Sequence, residues 1–174
     1  MADGTLKVGT ITTSSGSGNI TIGSGVTVNV NRPAFAAYLG DASQSVSTST
    51  DTKVNMTTED YDTDDAYDPT TSKFTIPSGA AGKYRFTIGV RTGNTHTIRN
   101  TVMIYKNGSM IAVGENRVTA GSGTTFTSKN FSVDLDCAVG DYFEPYVNQE
   151  HNAGIKGSTA GSKQTYWSAH KVGA

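Results

Sequence analysis

The segment Gly82-Lys83-Tyr84-Arg85-Phe86-Thr87-Ile88-Gly89-Val90-Arg91 decides the fold class, because apolar and polar residues alternate along it. Its four large apolar residues fall on even positions, and both arginines fall on odd positions. A period of two places alternate side chains on opposite faces of an extended chain. The segment therefore predicts a β-strand with one buried face and one face in water.

A hairpin is predicted next along the chain. Thr101 to Tyr105 and Ser109 to Val113 are two apolar runs, and Lys106-Asn107-Gly108 separates them. Asn-Gly between two such runs is the strongest short hairpin signal, because both residues tolerate a positive φ.

Further short strands are predicted on both sides of this hairpin, and no segment shows a sustained helical period. The candidate strands cover residues 33–39, 52–56, 73–77, 124–126, 131–137, 142–147 and 165–172. Between them we expect an acidic, turn-rich segment from Glu59 to Asp68 and a Gly-rich loop from His151 to Gly161. Many short strands with regular turn signals predict an all-β sandwich or jelly roll.

Composition supports this fold class and excludes several functions. A length of 174 residues suits one domain, and the 26 Thr and 17 Ser residues favour strands and turns. A net charge of −1 argues against a nucleic-acid binder. No apolar run approaches the ~20 residues of a membrane helix, and with no visible signal peptide we expect synthesis in a cytosol. The single Cys excludes an internal disulfide and a zinc–cysteine cluster.

Residues 1–31 differ from the rest, because they contain no aromatic residue and no proline. Within residues 6–30 we predict two strands joined by a turn. A two-stranded ribbon is marginally stable alone, so its apolar face needs a partner: its own domain, a neighbouring subunit or another protein. We assign residues 1–31 as an assembly arm and residues 32–174 as the main domain. The apolar face of the arm comprises Ile20, Ile22, Val26, Val28 and Val30.

Candidate sites for metal binding are weak. The acidic run Asp60–Asp68 begins like a calcium-binding loop, whose ligands are carboxylate oxygens. However, Asp65 stands where such a loop needs Gly, and Thr71 stands where it needs a bidentate Glu. We therefore interpret the run as a solvated acidic loop and expect no metal site.

Candidate catalytic residues are also lacking. His96, His151 and His170 belong to no His-x-x-x-His pair, and no Gly-x-Ser-x-Gly nucleophile motif accompanies them. Cys137 continues the alternating series of residues 131–137, which predicts a buried core thiol. We expect no enzymatic activity and no cofactor.

A series of short motifs follows one order along residues 33–172: Pro33-Ala34-Phe35-Ala36-Ala37-Tyr38-Leu39, Tyr67-Asp68, Ser72-Lys73-Phe74-Thr75-Ile76-Pro77, Ala81-Gly82-Lys83-Tyr84-Arg85-Phe86, Tyr105-Lys106-Asn107-Gly108, Val133 to Leu135, Val139-Gly140-Asp141 and Tyr166-Trp167-Ser168. This order resembles the globular head of complement subcomponents and the related tumour-necrosis-factor-like jelly rolls. The resemblance implies a ten-stranded jelly roll that forms homotrimers, binds other macromolecules and has no common enzymatic activity. It also implies that six aromatic residues lie in the core or at the trimer axis: Phe35, Tyr38, Tyr84, Phe86, Phe143 and Trp167.

The segment from Gly4 to Ile20 resembles the N-terminal segment of small fibre-like and other structural proteins of tailed bacteriophages. Together the two resemblances imply a homotrimeric protein on the exterior of a phage virion, made in the cytoplasm of the bacterial host. We expect a capsid decoration (cement) protein or short head fibre whose arm binds the major capsid protein or another virion protein.

Three alternative functions remain open. A tail-fibre tip would contact host glycan or protein through exposed loops such as residues 92–100 and 148–163. A self-assembling filament subunit would insert its arm into the next copy by strand addition. A glycan depolymerase would need two converging carboxylates, and no sequence motif nominates such a pair. Four aromatic residues also have an alternative interpretation as a platform that stacks on sugars: Phe35, Tyr38, Tyr166 and Trp167.

Overall fold

The computed structural model of the chain describes Ser24 and residues 32–94, 97–119, 123, 125–151, 153–157 and 161–173. The chain divides into two units, Met1–Val30 and Asn31–Ala174, and all the described strands belong to the second. The described part of this unit consists of strands and connections without a helix. Accordingly, no described helix is long and apolar enough to cross a membrane.

Thirteen strands are present in the described residues. They are β1 (Ala34–Tyr38), β2 (Gln44–Val46), β3 (Thr52–Lys53), β4 (Thr58–Asp62), β5 (Tyr67–Asp68), β6 (Lys73–Thr75), β7 (Gly82–Asn94), β8 (Ile98–Lys106), β9 (Ser109–Val118), β10 (Thr125–Cys137), β11 (Tyr142–Gln149), β12 (Ala153–Ile155) and β13 (Tyr166–Gly173).

The strands form two antiparallel sheets packed as a sandwich, which confirms the all-β prediction. Sheet A has the main order β4-β1-β13-β7-β10. The short strand β12 pairs with the same edge of β7 as β13 does, at the end of β7 that β13 does not reach, and β2 pairs with the other edge of β12. Sheet B has the order β5-β6-β11-β8-β9, and β3 lies beside β6 along β11. The strands β9 and β10 contact each other across one edge of the sandwich.

Aromatic side chains fill the centre of the core between the two sheets. The Phe86 ring lies 4.4 Å from that of Phe143 in sheet B and 5.5 Å from that of Trp167 in sheet A, measured between centroids. Phe35 stacks on Tyr67 at 4.5 Å. Such ring contacts add to the free energy gained by removing large apolar surfaces from water.

The local predictions for β7 and for the hairpin of β8 and β9 are confirmed. β7 contains the alternating segment from Gly82 to Arg91, and its even-numbered side chains from Tyr84 to Val90 are at most 1% exposed. The hairpin of β8 and β9 turns at Asn107 and Gly108, whose φ angles of 52° and 81° are both positive, as an Asn-Gly turn requires.

Three local predictions are wrong. Within the acidic segment, residues 58–62 form β4, because their backbone pairs with β1 at the edge of sheet A and an edge strand tolerates outward charges. Within the Gly-rich segment, β12 pairs with β2 and β7. The candidate strands 124–126 and 131–137 belong to one continuous strand, β10, whose ladder with β7 runs unbroken.

The predicted arm lies outside the described residues, apart from Ser24, which is an exposed turn residue. Its apolar face, comprising Ile20, Ile22, Val26, Val28 and Val30, therefore stays a prediction.

Candidate interaction surfaces

The edge of the sandwich formed by β9 and β10 leaves part of the core uncovered. Within the described residues, β9 pairs only with β8 and β10 only with β7. Phe131, Val133 and Leu135 point inward from β10 and pack against the core, but they are only partly buried. We call this surface the open edge.

The open edge is closely packed in spite of its exposure. A Cβ atom at Gly114 of β9 would lie 2.7 Å from Phe131 Cδ1, so only glycine lets the Phe131 ring lie against the β9 backbone. On the same two strands, Met110 of β9 is 52% and Phe126 of β10 is 49% exposed. Exposed apolar side chains on the two strands that border an incompletely covered core indicate a surface suited to a protein partner.

The outer face of sheet A is flat at its centre, because small residues meet there on four neighbouring strands. Ala36 pairs with Ser168, which pairs with Thr87, which pairs with Ser132. The hydroxyl groups of Thr87 and Ser132 share a hydrogen bond of 2.8 Å. We call this row of four residues the small-residue row.

Larger side chains flank the small-residue row on both sides. Tyr166 covers Gly89 so closely that a Cβ atom there would lie 2.5 Å from the ring. On the other side, Arg85 donates two hydrogen bonds of 2.8 Å each to Asp134, and this contact raises the pKa of Arg85 and lowers that of Asp134. The face is thus a shallow surface with an aromatic and a charged margin.

The outer face of sheet B carries an aromatic pair. The rings of Tyr105 on β8 and Tyr146 on β11 lie 4.2 Å apart. Asp51 accepts hydrogen bonds of 2.5 Å from the Tyr105 hydroxyl and from Asn148 Nδ2. The Asp51 contact is also the main reason that the pKa of Tyr105 is raised to about 12. At ordinary pH the pair therefore presents a neutral phenol held by a carboxylate.

The acidic segment uses its carboxylates to shape its own turns. Asp62 accepts hydrogen bonds from the backbone amides of Asp64 and Tyr67, and Lys163 forms an ion pair with Asp60. Hydrogen bonds from Thr70 and Thr71 lower the pKa of Asp68 to about 2. In the described part of the chain, no group of three or more His, Cys, Asp or Glu side chains is placed to hold a metal ion.

The predicted core thiol is confirmed. Cys137 is 5% exposed, and burial raises its pKa to about 12. His151 and His170 are exposed, and His96 lies outside the described residues.

Five of the six singled-out aromatic residues lie in the core, each fully buried: Phe35, Tyr84, Phe86, Phe143 and Trp167. Tyr38 is partly exposed on the outer face of sheet A, and the ammonium group of Lys163 lies 5.2 Å from its ring centroid. The alternative sugar-stacking role for Phe35 and Trp167 is wrong in this fold, since neither ring reaches the surface.

The Tyr105–Tyr146 pair and the open edge were not found by sequence reasoning. The two tyrosines lie on different strands, and Asp51 reaches Tyr105 from 54 residues away. A pattern that is local in sequence carries no signal for such contacts.

In a comparison with known proteins, no protein-family model and no curated protein matches the chain.

Proposed function

We propose that the chain is a non-enzymatic, homotrimeric structural protein on the exterior of a bacteriophage particle. Its role is that of a capsid decoration protein or short head fibre, attached by residues 1–31 to the major capsid protein or another virion protein. It is made in the cytoplasm of the bacterial host and needs no cofactor.

The observation that carries the proposal of self-association is the open edge. Phe131, Val133 and Leu135 keep contact with water although they point toward the core. Covering them with a second copy would remove apolar area from water at about 25 cal/mol per Å². The small-residue row offers a flat surface on which such an edge can lie.

Strand order supports the jelly-roll assignment. Ten of the thirteen strands make two five-stranded paths, β4-β1-β13-β7-β10 and β5-β6-β11-β8-β9. In this interpretation β2, β3 and β12 are additions to a ten-stranded jelly roll. The phage origin rests on the resemblance of the segment from Gly4 to Ile20.

The trimer is tested by measuring mass in solution. Sedimentation velocity of the full chain should give three times its 18.2 kDa. Val133→Lys should shift the protein toward monomer, because it places a charge in the buried contact. The control is Val139→Lys, at a valine that is 52% exposed in the turn after β10. A monomeric wild-type protein would overturn the trimer, and equal masses for both variants would overturn the open edge as its contact surface.

Attachment is tested by removing the arm. Deleting residues 1–31 should leave the strand signal in the circular dichroism spectrum and the trimeric state unchanged. The truncated protein should no longer co-sediment with phage particles that were prepared without the full-length protein. Truncated protein that binds these particles normally would show that the main domain makes the contact. Electron microscopy of particles carrying a C-terminal label should show the label on the head.

The aromatic pair favours a second candidate function, a tail-fibre tip that binds a host glycan or protein. Tyrosine faces stack on sugar rings, and Asp51 and Asn148 are the polar residue types that bond sugar hydroxyls. Tyr146→Ala should then weaken binding to host cells without changing the trimer mass. In that case the C-terminal label would appear on the tail.

A further inference from the structure

The core of the sandwich changes from apolar to polar in one layer, near the end where β7 connects to β8. In the preceding layer, β7, β8 and β11 contribute three buried valines: Val90, Val102 and Val147. One step further along these three strands, and at the matching positions of β9 and β10, the inward-pointing residues are polar. We call these five residues the polar layer: Thr92, Asn100, Asn116, Thr127 and Gln149. Ile155 of β12, the cross-strand neighbour of Thr92, is the apolar residue beside them.

The strand register brings the polar layer together. Asn100 is the direct cross-strand neighbour of Asn116 on one side and of Gln149 on the other, so three amides form a row across sheet B. In sheet A, Thr92 is the direct neighbour of Thr127. Asn100 Nδ2 joins the sheets by donating hydrogen bonds of 3.2 Å to Thr92 Oγ1 and 3.4 Å to Thr127 Oγ1.

Four amide atoms of the polar layer have no hydrogen-bond partner among the described residues. They are Oδ1 of Asn100, Oδ1 of Asn116, and both Oε1 and Nε2 of Gln149. Asn100 is 1% and Gln149 is 0% exposed, so bulk water does not serve them. Native proteins rarely leave buried polar groups unpaired, and ordered internal water is the usual partner.

The mixture of free donors and acceptors determines the ligand. A cation would take the three amide oxygens but face the Gln149 amino group, and an anion would take that amino group but face the three oxygens. Lys129 also opposes a cation, because it points inward one layer away, with its Cε against Gly114. Water donates two hydrogen bonds and accepts two. Because three oxygens need three donated protons, we propose that the polar layer binds at least two ordered water molecules.

Wild-type protein gives the direct test. A crystal structure at a resolution that shows ordered solvent should place at least two waters against Asn100, Asn116 and Gln149. Oxygen-17 magnetic relaxation dispersion should detect the same waters as long-lived in solution. A dry layer in which the amides bond one another would overturn the proposal. So would a melting temperature that differs between NaCl, KCl and choline chloride at equal ionic strength, since that would indicate a bound ion.

A pair of variants tests the same site, because a hydrated layer and a dry layer predict opposite changes in melting temperature. Gln149→Met keeps the volume but removes both unpaired atoms, and Ile104→Met, at an apolar core position of β8, measures the cost of methionine packing alone. If water fills the layer, Gln149→Met should lower the melting temperature by about 3–6 °C more than Ile104→Met and reduce the number of long-lived waters. If the layer is dry, losing an unpaired amide should raise the melting temperature, which would refute the site. Should Gln149→Met not fold, the wild-type hydration measurement decides by itself.

Discussion

Asp141 joins the hairpin turn of sheet B to a connection between the two sheets, and its removal should destabilise the fold more than the loss of an exposed carboxylate. Its carboxylate accepts hydrogen bonds from Ala138 N at 2.7 Å and from Asn107 Nδ2 at 2.8 Å. It also forms an ion pair of 2.7 Å with Lys106 Nζ. The hairpin turn of β8 and β9 is thereby tied to the turn between β10 and β11.

These contacts determine how much free energy of unfolding Asp141→Ala should lose. A hydrogen bond to a charged group contributes about 1.5–3 kcal/mol. Added together, three such contacts would exceed this range. In Asp141→Ala, however, water can reach some of the donors that lose their partner, because the Asp141 side chain is 13% exposed. The net loss is therefore smaller than the sum. We expect a loss of about 2–4 kcal/mol in the free energy of unfolding. Asp136→Ala is the matched control, since that side chain is 84% exposed and its Lys83 contact is 3.7 Å long, for which we expect about 0–1 kcal/mol.

Urea unfolding of both variants at pH 7 measures the difference. Burial works to raise the pKa of Asp141, but the contacts with Lys106, Asn107 and Ala138 outweigh it and leave the pKa lowered. The contribution of Asp141 is therefore complete above the unfolded pKa of about 3.9 and is lost as the pH falls through the folded pKa. The gap between wild type and Asp141→Ala should accordingly shrink in acid. Equal losses for the two variants at pH 7, or a gap that does not change with pH, would refute the reasoning.

Three further predictions concern the core and its closest approaches. Gly157→Ala should cost about 3 kcal/mol in urea unfolding, because its Cβ would lie 2.5 Å from Ala42 O and clash with Gly40 O, both of them backbone atoms; wild-type stability would contradict this close approach. Phe86→Ala should cost about 3–5 kcal/mol by the same measurement, and a loss below about 1 kcal/mol would exclude its central place in the core. Cys137, buried and with its pKa raised to about 12, should not react with a disulfide reagent at pH 8 until urea is added, whereas rapid labelling of the native protein would show an accessible thiol.

Those parts of the fold that depend on local sequence were predictable. β7 is recognisable by its alternation, because one of its faces lies on the core and the other does not. The turn at Asn107 and Gly108 was predictable for a different local reason, since few residues other than Asn and Gly adopt positive φ easily. Both signals lie within a few residues of the structure that they determine.

Elements held by distant partners were not predictable. β12 is three residues long and pairs with β2 and β7, which come much earlier in the chain. β4 carries exposed charges, so its sequence looks like a loop, and only pairing with β1 makes it a strand. In both cases the hydrogen bonds of the partner strand, and not the segment's own side chains, select the extended conformation.

The candidate surfaces were hidden from the sequence for a related reason. Phe131, Val133 and Leu135 have the alternation of any core strand, and nothing in that pattern shows that β10 lies at the edge of its sheet. Their partial exposure arises because the neighbour of β10 on one side is β7, while the described residues provide no strand on the other. Alternation identifies the inward face, but the position of a strand in its sheet determines how well that face is covered.

The open edge and the small-residue row bear on the choice between a closed trimer and a filament. They are different surfaces of one chain, so a contact between them would be heterologous and would either close into a ring or continue without limit. Continuation by strand pairing would need a free edge compatible with another strand. β10 instead carries Asp134 and Asp136 along thirteen residues, and charges on an edge strand oppose pairing with a second strand. Apolar packing of the open edge against a neighbouring face needs no added strand and is compatible with the closed trimer that we propose.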